Sequence, residues 1–171
     1  MSKWPWIERT FSFDFPVGKY PDVLERWRGA PARIAWMTAG LSREVLTGTD
    51  GHGWSILQNV GHLVDLGYLP RQRIEQILAG EHQLIAADMA NRATNQADHN
   101  AREIDDLVAE LHADREELAS RLETLSENDW ARSGIHPRLN QPMRIVDILH
   151  FDSEHDDYHI ARIRELIRTL A

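Results

Sequence analysis

The sequence predicts an all-α protein, a four-helix bundle of antiparallel long helices with an extended N-terminal arm. Three observations carry this. Apolar residues recur at three- and four-residue steps in four separate stretches. Glycine and proline clusters divide those stretches. No segment sustains the alternation of a half-buried strand, because Phe11, Phe13 and Phe15 are cut off by Pro16 and Gly18. Each apolar stripe needs a cover, and four stripes cover one another in a bundle whose core can hold functional side chains.

Residues 1–21, aromatic and marked by proline, read as an arm packed on the body. Asp22 to Thr47 carries Val23, Leu24, Trp27, Ile34, Met37, Leu41 and Val45 at helical spacing, with Pro31 as a kink or as the start of a second helical piece. After the turn Gly48–Gly53, Ser55 and Gln58 have the spacing of a capping box and open a second helix. Its residues Ile56, Leu57, Val60, Leu63, Val64 and Leu66 cover more than half the circumference, which implies burial between neighbours. Pro70 should bend or divide this helix, and Gly80 should cap it. Glu81 to Asn100, rich in Ala, Asn, Asp and Gln, reads as a connection with broken helical turns. A third helix is expected from about Arg102 to Leu125, a connection from Ser126 to Pro142, and a final helix from Met143 to Leu170.

With 171 residues, 42% of them hydrophobic, the chain is expected to form one domain, 1–171. Nineteen Lys and Arg against 27 Asp and Glu give a net charge of -8, the wrong sign for neutralising a phosphate backbone, so no nucleic-acid partner is expected. The absence of cysteine excludes disulfides, thiolate metal sites and a cysteine nucleophile, and any thiol chemistry must use an external thiol. With no run of ~18 apolar residues and no signal-like apolar region, no membrane association and a cytoplasmic location are expected.

The chemistry concentrates in the last helix. His155 and His159 lie four residues apart, on one helix face and toward the apolar stripe of Ile145, Ile148, Leu149, Ile163 and Leu166. A buried histidine pair either coordinates a metal or hydrogen-bonds neighbouring carboxylates, and the pair alone leaves both open. His62, inside the apolar second helix, is the candidate partner if the fold brings it within reach. Among carboxylates, Asp152 lies one turn before His155 on the ligand stripe and Asp65 one turn beyond His62; either could orient a ligand or move a proton, with Asp152 preferred. Glu154, Asp156 and Asp157 are expected to face solvent. His52, His82, His99, His112, His136 and His150 lack ligand spacing, and Trp4, Trp6, Trp27, Trp36 and Trp130 read as packing residues. A di-iron carboxylate bundle would need a Glu-x-x-His unit on each of two helices, which this chain lacks.

Trp54-Ser55 followed by His62-Leu63, the late His155/His159 pair, the Asp88–Arg92 and Asp98–Arg102 runs and the His136-Pro137 turn together resemble the DinB/YfiT-like superfamily over nearly the whole chain. The resemblance implies a four-helix bundle, frequently a homodimer, with a divalent metal on His62, His155 and His159 and an otherwise open coordination sphere. Tyr158 stands where many relatives carry a further histidine. Zinc or nickel is the foremost expected occupant, with iron or manganese as alternatives. Such a site would activate water or a low-molecular-weight thiol for transfer to a small-molecule electrophile, in a thiol S-transferase or a hydrolase. The alternatives are a non-catalytic metal-binding stress-response protein and a helical interaction module with hydrogen-bonded core histidines.

Overall fold

The computed structural model describes residues 4–171. Its helices are α1 (Tyr20–Arg28), α2 (Ala30–Thr38), α3 (Arg43–Thr47), α4 (Ile56–Asp65), α5 (Tyr68–Ala79), α6 (Arg92–Gln96), α7 (Ile104–Leu122), α8 (Glu127–Trp130) and α9 (Ile145–Leu170). A hairpin of β1 (Ser133–His136) and β2 (Gln141–Arg144) precedes α9. Four rods form the bundle: α1 with α2, α4 with α5, α7, and α9. α1 packs on α9, α2 on α7, α4 on both α7 and α9, and α5 on α9.

The predicted first helix is three pieces. It breaks at Gly29, and Pro31 enters the first turn of α2, where its missing N–H costs nothing. The second rod starts at Ser55, whose side chain accepts from Gln58 N–H while the Gln58 side chain accepts from Ser55 N–H. It divides at Leu66–Gly67, leaving Pro70 in the first turn of α5, and ends at Gly80 with φ of 83°. The expected connection 126–142 contains α8 and the hairpin, which takes Met143 out of the last helix. Leu84 N–H donates to Ile135 O and Ile135 N–H to His82 O, so the connection after α5 is tied to β1.

The core is two apolar clusters. One gathers Val23, Leu24 and Trp27 with Ile74, Ile77, Leu118, Leu122, Trp130 and Leu149. The other gathers Ile34, Ile56, Leu57, Val60, Leu63, Leu107, Leu111, Ile163 and Leu166. Each rod passes from one cluster to the other: α1–α2 and α9 from the first to the second, α4–α5 and α7 from the second to the first. The pairs α2/α7 and α5/α9 are thus antiparallel, whereas α4 and α7 run the same way, as the long crossover 80–103 between α5 and α7 permits.

The arm lies against the first cluster. Phe11, Phe13 and Phe15 pack there, and Arg144 donates to the carbonyls of Phe13 and Phe15. Trp36 (75% exposed) and Trp4 (54%) are not packing residues, contrary to their reading from sequence.

Candidate metal centre

Between the two apolar clusters the second, third and fourth rods contribute polar residues, and these form one layer: Asn59 and His62 from α4, Arg73 from α5, Arg115 from α7, and His155, Asp156 and His159 from α9, all buried, with the partly buried Asp152 beside them. Desolvating so many polar groups is costly unless they pair or bind something.

His62, His155 and His159 meet there. One ligand nitrogen from each lies within 4.8 Å of the other two, and the Nε2 atoms of His155 and His159 are 3.2 Å apart. That separation matches the roughly 3.3 Å edge of a tetrahedron of nitrogens at ~2.0 Å from a zinc ion. His62 is 3% exposed and His159 5%.

Hydrogen bonds orient two of the rings. Thr94 Oγ1 donates to Asp65 Oδ2 at 2.7 Å, so the His62 Nδ1 that lies 3.0 Å from the same oxygen must donate to it. Asn59 donates its amide N–H to the carbonyls of Trp54 and Ser55, which turns its Oδ1 toward His159 Nδ1 at 2.9 Å as an acceptor. Both rings therefore carry a proton on Nδ1 and present a basic Nε2 to the cluster, the tautomer a cation requires. Burial holds His62 mostly neutral, its pKa lowered to about 4, and pushes His155 well below the ordinary value, with His62 and Arg115 adding repulsion. The donor set and its tautomers fit a divalent metal.

The cluster opens on a cavity of about 960 Å³ lined also by Trp6, Trp54, Asp88, Tyr158 and Arg162. Trp6 meets His155 edge-on with centroids 4.9 Å apart, and Trp54 lies 4.6 Å from His62. Both tryptophans form walls of this cavity, Trp6 having been read from sequence as a packing residue.

The two candidate carboxylates have different surroundings. Asp65 reaches His62 through Thr94 and pairs with His99 Nε2 at 2.9 Å. Asp152, the preferred candidate from sequence, instead accepts from Trp27 Nε1 at 2.6 Å and Arg115 at 2.7 Å. Asp156 is a correction to the solvent-facing reading: it is fully buried, bonded to Arg115 Nη2 at 3.0 Å. Burial raises its pKa to about 7. Glu154 and Asp157 are half-buried and paired with Arg26. Sequence reading missed Thr94, Asn59 and Arg115, whose roles rest on contacts between separate elements.

His136 supplies a pH prediction. Burial, with Arg73 and Arg138 nearby, lowers its pKa to about 3. A histidine depressed when folded binds protons only when unfolded between pH ~6.5 and 3, so its contribution is intact above 6.5 and lost as pH falls. Asp156 acts oppositely over pH 4–7. Comparing wild type with His136→Gln separates the two: from pH 8 to 5 the wild type should lose about 2 kcal/mol relative to the variant in urea unfolding of chelated protein. Parallel pH profiles would contradict this.

Comparison with known proteins identifies the family and the fold. The family model of the DinB superfamily matches residues 26–163. A protein of Bacillus licheniformis provisionally named a metal-dependent hydrolase is 28% identical over 161 residues, 90% of each chain. Among solved structures, YfiT from Bacillus subtilis, described as a probable metal-dependent hydrolase with an unusual four-helix bundle topology, superposes with a TM-score of 0.79 at 21% identity, over 95% of this chain and 93% of its own. The mycothiol-dependent maleylpyruvate isomerase aligns with a TM-score of 0.65 at 13% identity, over 90% of this chain and 62% of its own. Among the described residues no helix is long and apolar enough to cross a membrane. The chain belongs to the DinB superfamily.

Proposed function

We propose that this protein is a metal-dependent enzyme that holds one divalent cation, foremost zinc or nickel, on His62, His155 and His159 and directs water or a low-molecular-weight thiol at a small electrophile. The observation that carries the reading is the pair of Nδ1–H bonds, His62 to Thr94 and His159 to Asn59, which turn basic nitrogens toward a shared point beside a large cavity. Bound there, the cation would supply Lewis acidity, lowering the pKa of a water or thiol in its open position. The chain's own residues do the rest. Thr94 and Asn59 keep the two rings in register. Asp65, at the end of the His62–Thr94 relay, raises the basicity of that ring and can receive proton density from it. Trp6 and Trp54 shield one side and give an electrophile an apolar surface. The names of the Bacillus relatives and of the isomerase support this class of chemistry, and the lack of cysteine leaves any thiol to come from outside. A homodimer, a cytoplasmic location and no nucleic-acid role belong to the same reading.

Elemental analysis of tag-free protein should find about one divalent ion per chain, lost in His62→Ala, His155→Ala and His159→Ala and kept in His112→Ala, whose residue is exposed on α7. Low-molecular-weight thiols and water are then tested against simple electrophiles, with His62→Ala as control. Unchanged metal content in the ligand variants would overturn the site. Full occupancy without turnover of any electrophile would favour the metal-binding stress protein.

A further inference from the structure

Next to the main cavity, with Trp6, Leu66 and His155 lining both, lies a smaller one of about 160 Å³. Its lining includes Arg73, Arg138, His136, Asp152 and Phe151. Three observations make it unusual. Arg73 is only 4% exposed, and neither it nor Arg138 has a carboxylate within salt-bridge distance among the described residues, whereas the buried Arg115 and the partly buried Arg26 and Arg162 each have one. Arg138 Nη2 is buried without a hydrogen-bond partner among the described residues, while its Nη1 donates to the carbonyls of Trp6 and Ile7. His136 is 2% exposed; its Nδ1 accepts from Leu139 N–H at 3.3 Å, so its proton sits on Nε2, which is likewise buried without a partner.

Two guanidinium groups and an imidazole N–H thus line one pocket, carrying two positive charges and at least two unanswered donors. An unsatisfied buried donor costs about as much as a lost hydrogen bond, and an unpaired buried charge costs more, so native proteins keep such groups where something answers them. Asp152 also lines the pocket and its charge offsets part of that of Arg73, whose Nε donates to Ile85 O, but Asp152 Oδ2 already accepts from Trp27 and Arg115, and Arg138 is left without a carboxylate. The rigidity is on the protein side: Phe151 and Trp6 stack around Arg138, whose guanidinium carbon lies 5.3 Å from each ring centroid.

We propose that this pocket is an anion subsite that binds the carboxylate of the substrate or cosubstrate, placing the rest of that molecule past His155 and over the histidine cluster. The small volume suits a planar carboxylate on a short carbon chain, and the paired guanidinium N–H groups suit its two oxygens. The subsite would therefore select small acids from neutral electrophiles of the same size. It deepens the proposed function and rests on it only for the reacting group; the anion binding itself needs no metal.

The experiment uses full-length protein treated with EDTA, with propanoate as probe, propanamide as the neutral control and inorganic phosphate as the other anion, read by isothermal titration calorimetry. Propanoate should bind saturably and propanamide should not. Arg138→Gln should weaken propanoate at least 10-fold, Arg138→Lys should restore part of that loss, and Arg162→Gln, in the other cavity, should leave it unchanged. Equal loss in the Gln and Lys variants would indicate damage to the arm that Arg138 anchors and overturn the assignment. Phosphate binding in preference to propanoate would overturn the carboxylate assignment. Propanoate binding confined to metal-loaded protein would place the anion on the cation and overturn the subsite while leaving the metal reading standing. Binding by EDTA-treated protein that takes up no metal would do the reverse.

Discussion

Arg115→Met should destabilise the protein by about 3–5 kcal/mol, the range expected when one partner of a buried ion pair is removed. Arg115 is 2% exposed and bridges two carboxylates of α9, Asp152 at 2.7 Å and Asp156 at 3.0 Å, whose side chains are 18% and 1% exposed. It also lies 4.1 Å above the Trp27 ring, which itself donates to Asp152. Methionine restores much of the volume but leaves both carboxylates without their cation, and Asp156 Oδ2 already has no partner among the described residues. The cost is therefore electrostatic more than a cavity cost. The pH dependence separates these causes. Burial already raises the Asp152 and Asp156 pKa values, Asp156 to about 7. Loss of the guanidinium raises them further. A carboxylate with a raised folded pKa is stabilised as pH falls, so the variant's deficit should shrink from pH 8 to pH 5, whereas a packing defect would be independent of pH. Adding Asp152→Asn and Asp156→Asn to Arg115→Met should recover most of the loss, because neither charge that Arg115 had paired then remains. Urea midpoints give the answer; a loss below about 1 kcal/mol at pH 8, or one that does not change with pH, would refute the account.

The same layer marks what the sequence could convey. Period and punctuation located the rods: Ser55 with Gln58, and Gly80, act as sequence alone suggests, because a cap is a local event within a few residues. The His155/His159 pair was legible for the same reason, since both residues are on one helix. Asp156, one residue along, was not. Its register beside the ligand stripe reads as solvent-facing, yet α9 packs against α1, α2, α4 and α5, and a position that would face water on a surface helix meets Arg115 of α7 instead. Arg115 has no sequence signature at all, because an arginine in a charged helix looks the same whether it meets solvent or two carboxylates. Thr94 and Asn59 belong to this class. Their roles depend on contacts across 32 and 100 residues, which no periodicity encodes. The hairpin was hidden by its brevity, four residues a strand with Pro142 in one of them.

Gly61→Ala tests whether the crossover and the metal centre are one unit. In an exposed helix interior this change would stabilise by about 1 kcal/mol, since glycine is a poor helix former. At position 61 the opposite is expected. A Cβ there would come 2.3 Å from Cγ of His99 and 2.4 Å from two further ring atoms. The collision is with the root of the ring, not a flexible tip, so the His99–Ala101 turn must move with it. His99 is 3% exposed and pairs with Asp65, which accepts from Thr94, which accepts from His62. Displacing His99 therefore pulls on the relay that sets the tautomer and aim of one histidine of the cluster. The fold should lose about 3 kcal/mol, the upper end of the overpacking range. Metal affinity should fall 10- to 100-fold, as when an outer partner of a ligand is lost. Thr94→Val separates the two effects, because it removes the oxygen that answers His62 without touching the glycine contact: it should reproduce most of the affinity loss with a smaller stability change. Chelator competition and urea unfolding measure both quantities on the same samples. A Gly61→Ala protein that gains stability and keeps its metal would show that the crossover yields freely and that the His62 orientation does not depend on it.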